Sequence, residues 1–340
     1  MSNRQYDVIV IGGGPAGSAC AQKLVQAGAR VAVVDRAQFP RLKLCAGWVT
    51  PQALADLDLS PADYPHRINT FEEIVAHVKG LSFKLHNPQH SIRRIEFDDF
   101  LLQRSGAPVI SHAVKRIERV GARYVLDEQY TCDYLVGAGG TRCPVYKHLF
   151  REHNPRAREL QAATYEYEFP YAYSDERCHL WFFDGDLPGY SWYVPKADGY
   201  VNCGIGGMAE LLKARGDDVK SQWRHFTNRL HEQGMLNDAP ALKPKGYSYY
   251  LRGKVDVVHL DNAYIVGDAA GLATRDLCEG IGPAIRSGQR AAHSILTGAP
   301  FMLQDIEEFS TTYTPVRWLL EYMFVGRGRK HVQATHTAAC

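Results

Sequence analysis

The sequence has no long hydrophobic run, no strong charge of one sign and no clustered cysteines. No stretch of about 18 or more apolar residues is present, so no segment predicts a transmembrane helix. The formal net charge is only +2, which lacks the basic excess typical of nucleic-acid binding, and we predict no nucleic-acid partner. The eight cysteines form no CxxC pair and no Cys/His cluster with zinc spacing, so we predict free thiols and no metal site.

The rest of the composition is that of an ordinary globular protein. The 340 residues are 45% hydrophobic and 22% charged, which allows one large domain or two modest ones with a buried core. The opening MSNRQYDVIVIGGG has only a short apolar stretch and no small-residue cleavage site. We therefore expect a first β-strand rather than a signal peptide, and a cytoplasmic protein.

The first fifty residues have the pattern of a dinucleotide-binding unit. A β-branched run at 6–11 leads into GGGPAG, then an Ala-rich helical stretch, then a strand at 30–34 that ends in an acid. The glycines allow a tight turn, a close approach of the pyrophosphate and close helix packing, and the acid binds ribose hydroxyls. The pattern alone does not separate FAD from NAD. The residues it predicts to bind the cofactor are Gly12, Gly14, Pro15, Ala16, Gly17, Asp35 and Arg36.

A second glycine-rich motif, near the other end of the chain, makes the choice between these cofactors. Residues 261–271 predict a short strand that ends in GDAAG, and residues 278–292 predict a small-residue helix opened by two glycines. An acid at a strand end can bind a sugar-like hydroxyl, and a glycine-opened helix can direct its dipole at negative charge. The residues predicted here are Gly267, Asp268, Gly280, Ile281 and Gly282.

The order of these motifs resembles the geranylgeranyl reductase-like branch of the p-hydroxybenzoate hydroxylase-type flavin monooxygenase superfamily, over roughly residues 5–325. The resemblance implies FAD as the cofactor, with Asp268 at its ribityl chain and Gly280, Ile281 and Gly282 near the pyrimidine side of the flavin ring. Residues 94–101, RIEFDDFL, are similar to the R-x-x-F-D-x-x-L element of that superfamily. This implies that Arg94 lies by the cofactor, while a solvated arginine in a charged segment stays the alternative.

The source of electrons stays open. Residues 133–142, DYLVGAGGTR, lie where the superfamily has a strand followed by G-A-D-G, but Gly139 replaces the acid and Cys143 the usual serine. In related hydroxylases this segment supports the docking of NAD(P)H. Direct reduction by NAD(P)H and supply by a separate electron donor are therefore both compatible with the sequence.

Two further segments are similar to motifs of the reductase branch. KLCAGW at 43–48 resembles K-x-C-G-G, and PGYSWYVPK at 188–196 resembles a Y-x-W-x-F-P-K segment. The resemblance implies that Cys45 lies near the flavin ring and that the second segment lines the substrate cavity. Cys45 could shape the pocket, donate a hydrogen bond or donate a proton, and plain packing stays open for it and for the aromatic residues. The predicted catalytic residues are Cys45, Tyr190 and Trp192.

The predicted fold class is α/β, with a discontinuous Rossmann-like FAD-binding domain, an antiparallel substrate sheet and a C-terminal helix. Aromatic strands on both sides of residues 184–189 predict a hairpin, and residues 219–233 predict an amphipathic helix. The predicted division is 1–150 for the first part of the FAD-binding domain, with an excursion at 51–92; 156–258 for the substrate domain; 259–298 for the second FAD-binding part; 299–330 for a helical cap with a helix from Asp305 to Val325; and 331–340 for a disordered tail.

Together these patterns predict an FAD-dependent oxidoreductase that acts on a hydrophobic or aromatic small molecule. The two branch motifs favour reduction of a carbon–carbon double bond by flavin hydride. Hydroxylation through a flavin hydroperoxide, with halogenation less favoured, stays open, and so does a peptide side chain as the substrate. The C-terminal helix and its basic tail leave a peripheral membrane contact open. The non-enzymatic alternative is a flavin-binding electron carrier, against which the long aromatic segment at 165–205 argues.

Overall fold

The computed structural model describes residues 4–216, 218–237, 239 and 241–311. The strands are β1 (Arg4–Ile11), β2 (Val31–Asp35), β3 (Trp48–Val49), β4 (Asn69–Val78), β5 (Leu81–Ser91), β6 (Val109–Ser111), β7 (Ile117–Val120), β8 (Arg123–Leu126), β9 (Tyr130–Gly137), β10 (Gln161–Pro170), β11 (Cys178–Phe182), β12 (Gly189–Lys196), β13 (Tyr200–Met208), β14 (Lys245–Tyr250), β15 (His259–Leu260) and β16 (Ala263–Ile265). The α-helices are α1 (Pro15–Gln26), α2 (Pro51–Ala55), α3 (Arg94–Arg104), α4 (Ala209–Ala214), α5 (Val219–Glu232) and α6 (Ile281–Thr297).

The first sheet is built on a parallel core. Its order is β15-β16-β9-β1-β2-β6, and all neighbours from β16 to β6 run parallel. The β-branched runs at 8–11 and 31–34 are buried throughout, as expected for strands covered on both faces. This sheet, with α1 between β1 and β2, confirms the predicted Rossmann-like α/β class.

The second sheet is largely antiparallel and has the order β14-β10-β13-β12-β11-β4-β5-β3. β11 and β12 form the predicted hairpin. One face of this sheet packs against α5, which buries Trp223, Phe226 and Leu230, the three residues at helical spacing. The other face carries Trp192 and Val194 and packs against Ala46 and Trp48 of the KLCAGW segment.

Strands β4 and β5 come from residues 51–92, which the sequence presents as an excursion within the first FAD-binding part. They join the second sheet because β4 pairs in parallel with β11, from Cys178 opposite Ile74 to Phe182 opposite Val78. The second sheet therefore includes strands that precede residue 150 in the sequence. The domain boundaries themselves stay a prediction.

The first part of the predicted C-terminal helix, residues 305–311, is not helical. Residues 305–311 form turns and bends because their backbone groups bond to the segment at 274–276. The Asp276 carboxylate accepts hydrogen bonds from the N–H groups of Ser310 and Thr311, at 2.8 and 2.7 Å. The remainder of that helix and the basic tail lie outside the described residues. Within the described ranges, no helix is both long enough and apolar enough to cross a bilayer.

Candidate active site

The GGGPAG loop between β1 and α1 has the shape that its glycines predict. Gly12 has a φ of 112°, and a Cβ atom on it would lie 2.3 Å from the carbonyl oxygen of Ala138, just past β9. A Cβ atom on Gly17 would lie 1.9 Å from the carbonyl oxygen of Gly12. Helix α1 can therefore begin this close to the strand ends only with glycine at both positions.

The start of α1 fits the pyrophosphate and ribose of a dinucleotide. Gly14 is its N-cap, without a side-chain cap among the described residues, and a Cβ atom there would meet only a guanidinium nitrogen of Arg41, at 3.5 Å. Free N–H groups beside a guanidinium suit an anion. Asp35, at the end of β2, is held in place because its carboxylate accepts from the N–H groups of Gly13 and Ala37, at 2.8 and 2.9 Å. These residues would hold FAD by its phosphates and its adenosine ribose.

The distal motif reaches this same loop. Gly267 opens a 3-10 turn with a φ of 58°, and a Cβ atom on it would lie 3.2 Å from Cβ of Ala16. A Cβ atom on Gly288 would lie 2.1 Å from the carbonyl oxygen of Ala16, so α6 packs directly on α1. The Asp268 carboxylate lies 3.5 Å from the place where Gly280 would carry a Cβ atom. The structure thus brings Asp268 and the start of α6 next to the start of α1, as the FAD prediction requires.

The first turn of α6 is partly capped from within its own motif. The N–H of Gly282 donates to the Glu279 carboxylate at 2.8 Å, and burial raises the pKa of Glu279. Ile281 is 5% exposed and belongs to an apolar cluster that also contacts Cys45. The predicted flavin-side residues of α6 and the cysteine loop therefore share one packed region.

Arg94 is buried rather than solvated. Its guanidinium donates to both carboxylate oxygens of Asp98, at 2.7 and 2.9 Å, and Asp98 also pairs with Arg41 at 3.3 Å. Burial lowers the pKa of Arg94, but the Asp98 charge and the Cys45 thiol outweigh burial and hold this pKa above its usual range. Arg94 thus connects Arg41, which lies beside the start of α1, to the loop that carries Cys45.

The KLCAGW loop is fastened by a buried lysine. Lys196, at the end of β12, is 0% exposed, and its ammonium donates to the carbonyl oxygens of Ala46 and Ile92, the latter at 2.8 Å. Gly47 has a φ of 68°, and a Cβ atom on it would lie 2.1 Å from the Ile92 oxygen. The turn brings the N–H of Gly47 within 3.3 Å of the Cys45 sulfur, to which it donates. The position of the Cys45 thiol is therefore set by the turn and by Lys196.

Trp192 is tied to the same loop through one side chain. Its indole N–H donates to the Asn202 side-chain oxygen at 2.7 Å, and the Asn202 amide donates to the Cys45 carbonyl at 3.3 Å. A Cβ atom on Gly204 would lie 2.1 Å from the indole ring, so Trp192 lies across Gly204. We call the buried cluster around Trp192 the apolar wall. It consists of Phe71, Ile74, Ala76, Cys178, Leu180, Phe182, Trp192 and Val194, with Ala46, Trp48, Val78, Leu160, Phe183, Tyr190 and Leu277 packed against it.

Tyr190 meets the segment that precedes α6. Its hydroxyl donates to the carbonyl oxygen of Leu277 at 2.7 Å. Burial raises the pKa of Tyr190 well above its usual value, and the neighbouring Cys278 adds to this. Burial also raises the pKa of Cys278 to about 11, against a hydrogen bond with Tyr249 that lowers it. At neutral pH this corner therefore holds neutral hydroxyl and thiol groups that can donate hydrogen bonds.

The side chains of Arg36 and Trp181 lie in different surroundings. Arg36 is exposed beyond the end of β2. Trp181 faces the α5 side of the second sheet, where it packs on Phe226 and stacks on His77. Trp181 is thus core, whereas Trp192 belongs to the opposite face.

Several polar residues of this region escaped the sequence interpretation. Glu166 alternates with tyrosines in β10 and reads as a solvent-facing residue, yet it is 2% exposed. Lys196 is the last residue of the PGYSWYVPK motif, and Asn202 lies in the strand that follows, so the sequence offered a signal for both. For Tyr249 and Cys278 the sequence carries no local signal. The roles assigned to all these site residues stay predictions.

Comparison with known proteins agrees with this arrangement. Residues 6–146 match the family described as pyridine nucleotide-disulphide oxidoreductase. An uncharacterised protein of Methanosarcina barkeri is 32% identical over 311 residues, covering 87% of this chain and 76% of that protein. A menaquinone reductase of Mycolicibacterium smegmatis is 29% identical over 337 residues, covering 87% of this chain and 78% of that protein.

The fold has a solved counterpart. The crystal structure of a geranylgeranyl bacteriochlorophyll reductase-like protein from Thermoplasma acidophilum superposes with a TM-score of 0.75 at 18% identity, covering 95% of this chain and 86% of that chain. The open start of α1 and the distal motif beside it both fit FAD. The chain belongs to the FAD-dependent oxidoreductases of the geranylgeranyl reductase-like branch of the flavin monooxygenase superfamily, and it is a flavoenzyme.

Proposed function

We propose that this flavoenzyme reduces carbon–carbon double bonds in a hydrophobic, isoprenoid-type substrate. The observation that carries the proposal is the link from Trp192 through Asn202 to Cys45, which joins the apolar wall to the cysteine loop. The M. smegmatis relative is named for menaquinone and the T. acidophilum protein for geranylgeranyl bacteriochlorophyll. Both compounds carry isoprenoid chains, which supports the same substrate class.

The apolar wall suits such a substrate. It presents aromatic and aliphatic side chains and packs against Ala46, in the segment predicted to lie near the flavin ring, and against Leu277, which directly precedes the segment predicted at 278–292. Apolar side chains bind a hydrocarbon chain and exclude water from the reacting carbons. Exclusion of water favours delivery of hydrogen to the substrate over loss of electrons to solvent species.

The chain supplies the proton that double-bond reduction needs. FAD, when bound and reduced, supplies the hydride equivalent. In this proposal the Cys45 thiol donates the proton to the other carbon of the double bond. The N–H of Gly47 donates to the Cys45 sulfur, and the Arg94 guanidinium interacts with the same side chain. Tyr190 and Cys278 hold further protons at the neighbouring corner.

The test mixes the anaerobically reduced protein with a menaquinone or with geranylgeranyl diphosphate. We expect the bound flavin to be reoxidised and the product to gain two hydrogens for each double bond reduced. Cys45→Ala is expected to keep its FAD and to slow this reoxidation about a hundredfold or more. Cys203→Ala is the matched control, because Cys203 is 0% exposed and lies on the α5 face of the same sheet.

Two results would contradict the proposal. In the first, reduced flavin is not reoxidised by either compound without oxygen. In the second, Cys45→Ala reduces the substrate as fast as Cys203→Ala does. An oxygenated product formed in air would instead support the monooxygenase alternative.

A further inference from the structure

Strand β5 carries a row of exposed apolar side chains. Leu81, Phe83 and Leu85 are 64%, 49% and 51% exposed, and their alternation places them on one face of the strand. Single exposed apolar residues are common on proteins, but a contiguous row of large ones marks an interaction surface. We call these three residues the β5 stripe.

The β5 stripe lies at an open edge of the second sheet. Beyond β5 the sheet has only the two-residue β3, which pairs with His90 and Ser91. Within the described part of the chain, residues 81–89 have no strand partner on that outer side. Natural sheets commonly protect such edges with charged residues or covering elements, so an apolar edge without them indicates a binding surface.

The β5 stripe also continues the apolar wall. Leu81 lies opposite Val78, Phe83 opposite Ala76 and Leu85 opposite Ile74, and directly opposite residues of an antiparallel pair share a face. Ile74 and Ala76 belong to the apolar wall, and Val78 packs against it. An uninterrupted apolar face therefore runs from Trp192 to the open edge of the sheet.

The charge around the hairpin tip is positive. Between Ile74 and Ile95 the sequence contains no aspartate or glutamate, and Lys79 is exposed in the β4–β5 turn. Lys84 is 58% exposed and lies 3.4 Å from Glu73, the acid nearest the tip on β4. Lysines beside an inserted apolar row suit the phosphates of an anionic lipid surface. Edge-to-edge pairing with a second copy would instead bring these lysines close to those of the other copy, which like-charge repulsion disfavours.

We propose that the β5 stripe docks this enzyme on an anionic lipid bilayer, so that an isoprenoid chain passes from the bilayer along the apolar wall to the site. The docking surface is the hairpin tip, with Leu81, Phe83 and Leu85 in the lipid and Lys79, in the β4–β5 turn, at the phosphates. This inference rests on the proposed function for its substrate, but the binding itself is measured without turnover.

The test is sedimentation with vesicles of phosphatidylcholine plus phosphatidylglycerol, compared with vesicles of phosphatidylcholine alone. We expect the wild-type holoenzyme to bind the anionic vesicles more strongly. The variant Leu81→Ser/Phe83→Ser/Leu85→Ser is expected to bind these vesicles at least about tenfold more weakly, because three apolar side chains no longer enter the lipid. The matched control replaces three other exposed apolar residues by serine: Val120, Leu296 and Met302, which are 63%, 45% and 58% exposed.

The outcomes separate this inference from the proposed function. Turnover of detergent-dispersed substrate should be the same in the stripe variant and in the control, so loss of vesicle binding alone supports the docking surface. Absence of binding by the wild type, or equal binding by both variants, would overturn it whatever the turnover. A dimer that only the stripe variant loses, or a large fall in its unfolding temperature, would also overturn it. The first would show that a second copy occupies the stripe, and the second that the chain itself covers it.

Discussion

Glu166 is a carboxylic acid in an almost fully buried position. It lies on β10 opposite Gly204, in one row with Trp192, which lies opposite Gly204 from the other side. One carboxylate oxygen has no hydrogen-bond partner among the described residues. Burial raises the pKa of Glu166 to about 7, while the charges of Lys43 and Lys196 oppose the rise. At neutral pH this side chain is therefore only partly ionised.

The pH dependence of stability should report this partial ionisation. Because the pKa of Glu166 is about 7 in the folded chain and near 4.5 ordinarily, the folded state binds the proton more tightly. The resulting stabilisation is complete below about pH 4.5 and is lost as the pH rises through about 7, by up to about 3 kcal/mol. Glu166→Gln should remove this fall in the free energy of unfolding, measured by denaturant titration across that pH window.

The exposed Glu159 provides the control for loss of one negative charge. If Glu166→Gln and Glu159→Gln follow the same pH profile as the wild type, Glu166 does not hold a proton in the folded chain.

At the scale of the elements, the contact between α1 and α6 determines how the two FAD motifs meet. Gly288 leaves no space for a side chain against the backbone of Ala16, and Gly267 fits beside the same residue. The ends of both helices that face the cofactor depend on this close crossing. A change at the crossing should therefore affect FAD binding from a distance.

Gly288→Ala is expected to push the two helices apart. The added methyl group would lie 2.1 Å from the Ala16 oxygen, so the backbone must shift, at a cost of about 1–3 kcal/mol. We expect a lower unfolding temperature and faster release of FAD, measured by thermal unfolding and by flavin fluorescence after dilution. Leu296→Ala, at an exposed position of the same helix, is the control. Equal FAD release from both variants would show that the crossing does not position the cofactor site.

On the scale of the whole molecule, Lys196 joins the second sheet to the nucleotide-binding part. Its ammonium contacts the backbone of the cysteine loop and the carbonyl of Ile92, just before α3. Burial lowers the pKa of Lys196, and the charge of Glu168 opposes this fall. A charged group so deeply buried is retained at a cost, which its hydrogen bonds offset.

Lys196→Met keeps most of the side-chain volume and removes the ammonium. Two buried carbonyl groups then lose their donor, so we expect a loss of about 2–5 kcal/mol in the free energy of unfolding. We also expect weaker retention of FAD, since the loop carrying Cys45 is no longer held. Lys213→Met, at an exposed position on α4, is the control. The measurement is denaturant unfolding at matched flavin content. Equal free energies of unfolding for both variants would contradict the linking role.

Much of the nucleotide-binding part could be predicted from the sequence because its geometry is local. Within one strand–turn–helix unit, Gly12 is required by its positive φ and Gly17 by its close contact with Gly12, and Asp35 follows directly from the next strand. The distal motif at Gly267 was recognisable for the same reason. Local turn chemistry leaves a pattern in the residues themselves, and such a pattern can be interpreted without knowing what packs around it.

What only the tertiary structure decided involves residues far apart in the chain. The alternation in β10 predicts that Glu166 faces water. The cysteine loop and its neighbours cover the face of the sheet that carries Glu166, so the acid is buried. Strands β4 and β5 belong to the second sheet through the pairing of Ile74 with Cys178. Burial and strand pairing depend on which distant segments meet, and no short pattern encodes that choice. The sequence by itself determined a dinucleotide-binding loop, because this follows from local backbone geometry, and the resemblance of its motif order to a flavin superfamily indicated FAD. The tertiary structure alone decided which polar groups are buried beside them and which apolar face stays open.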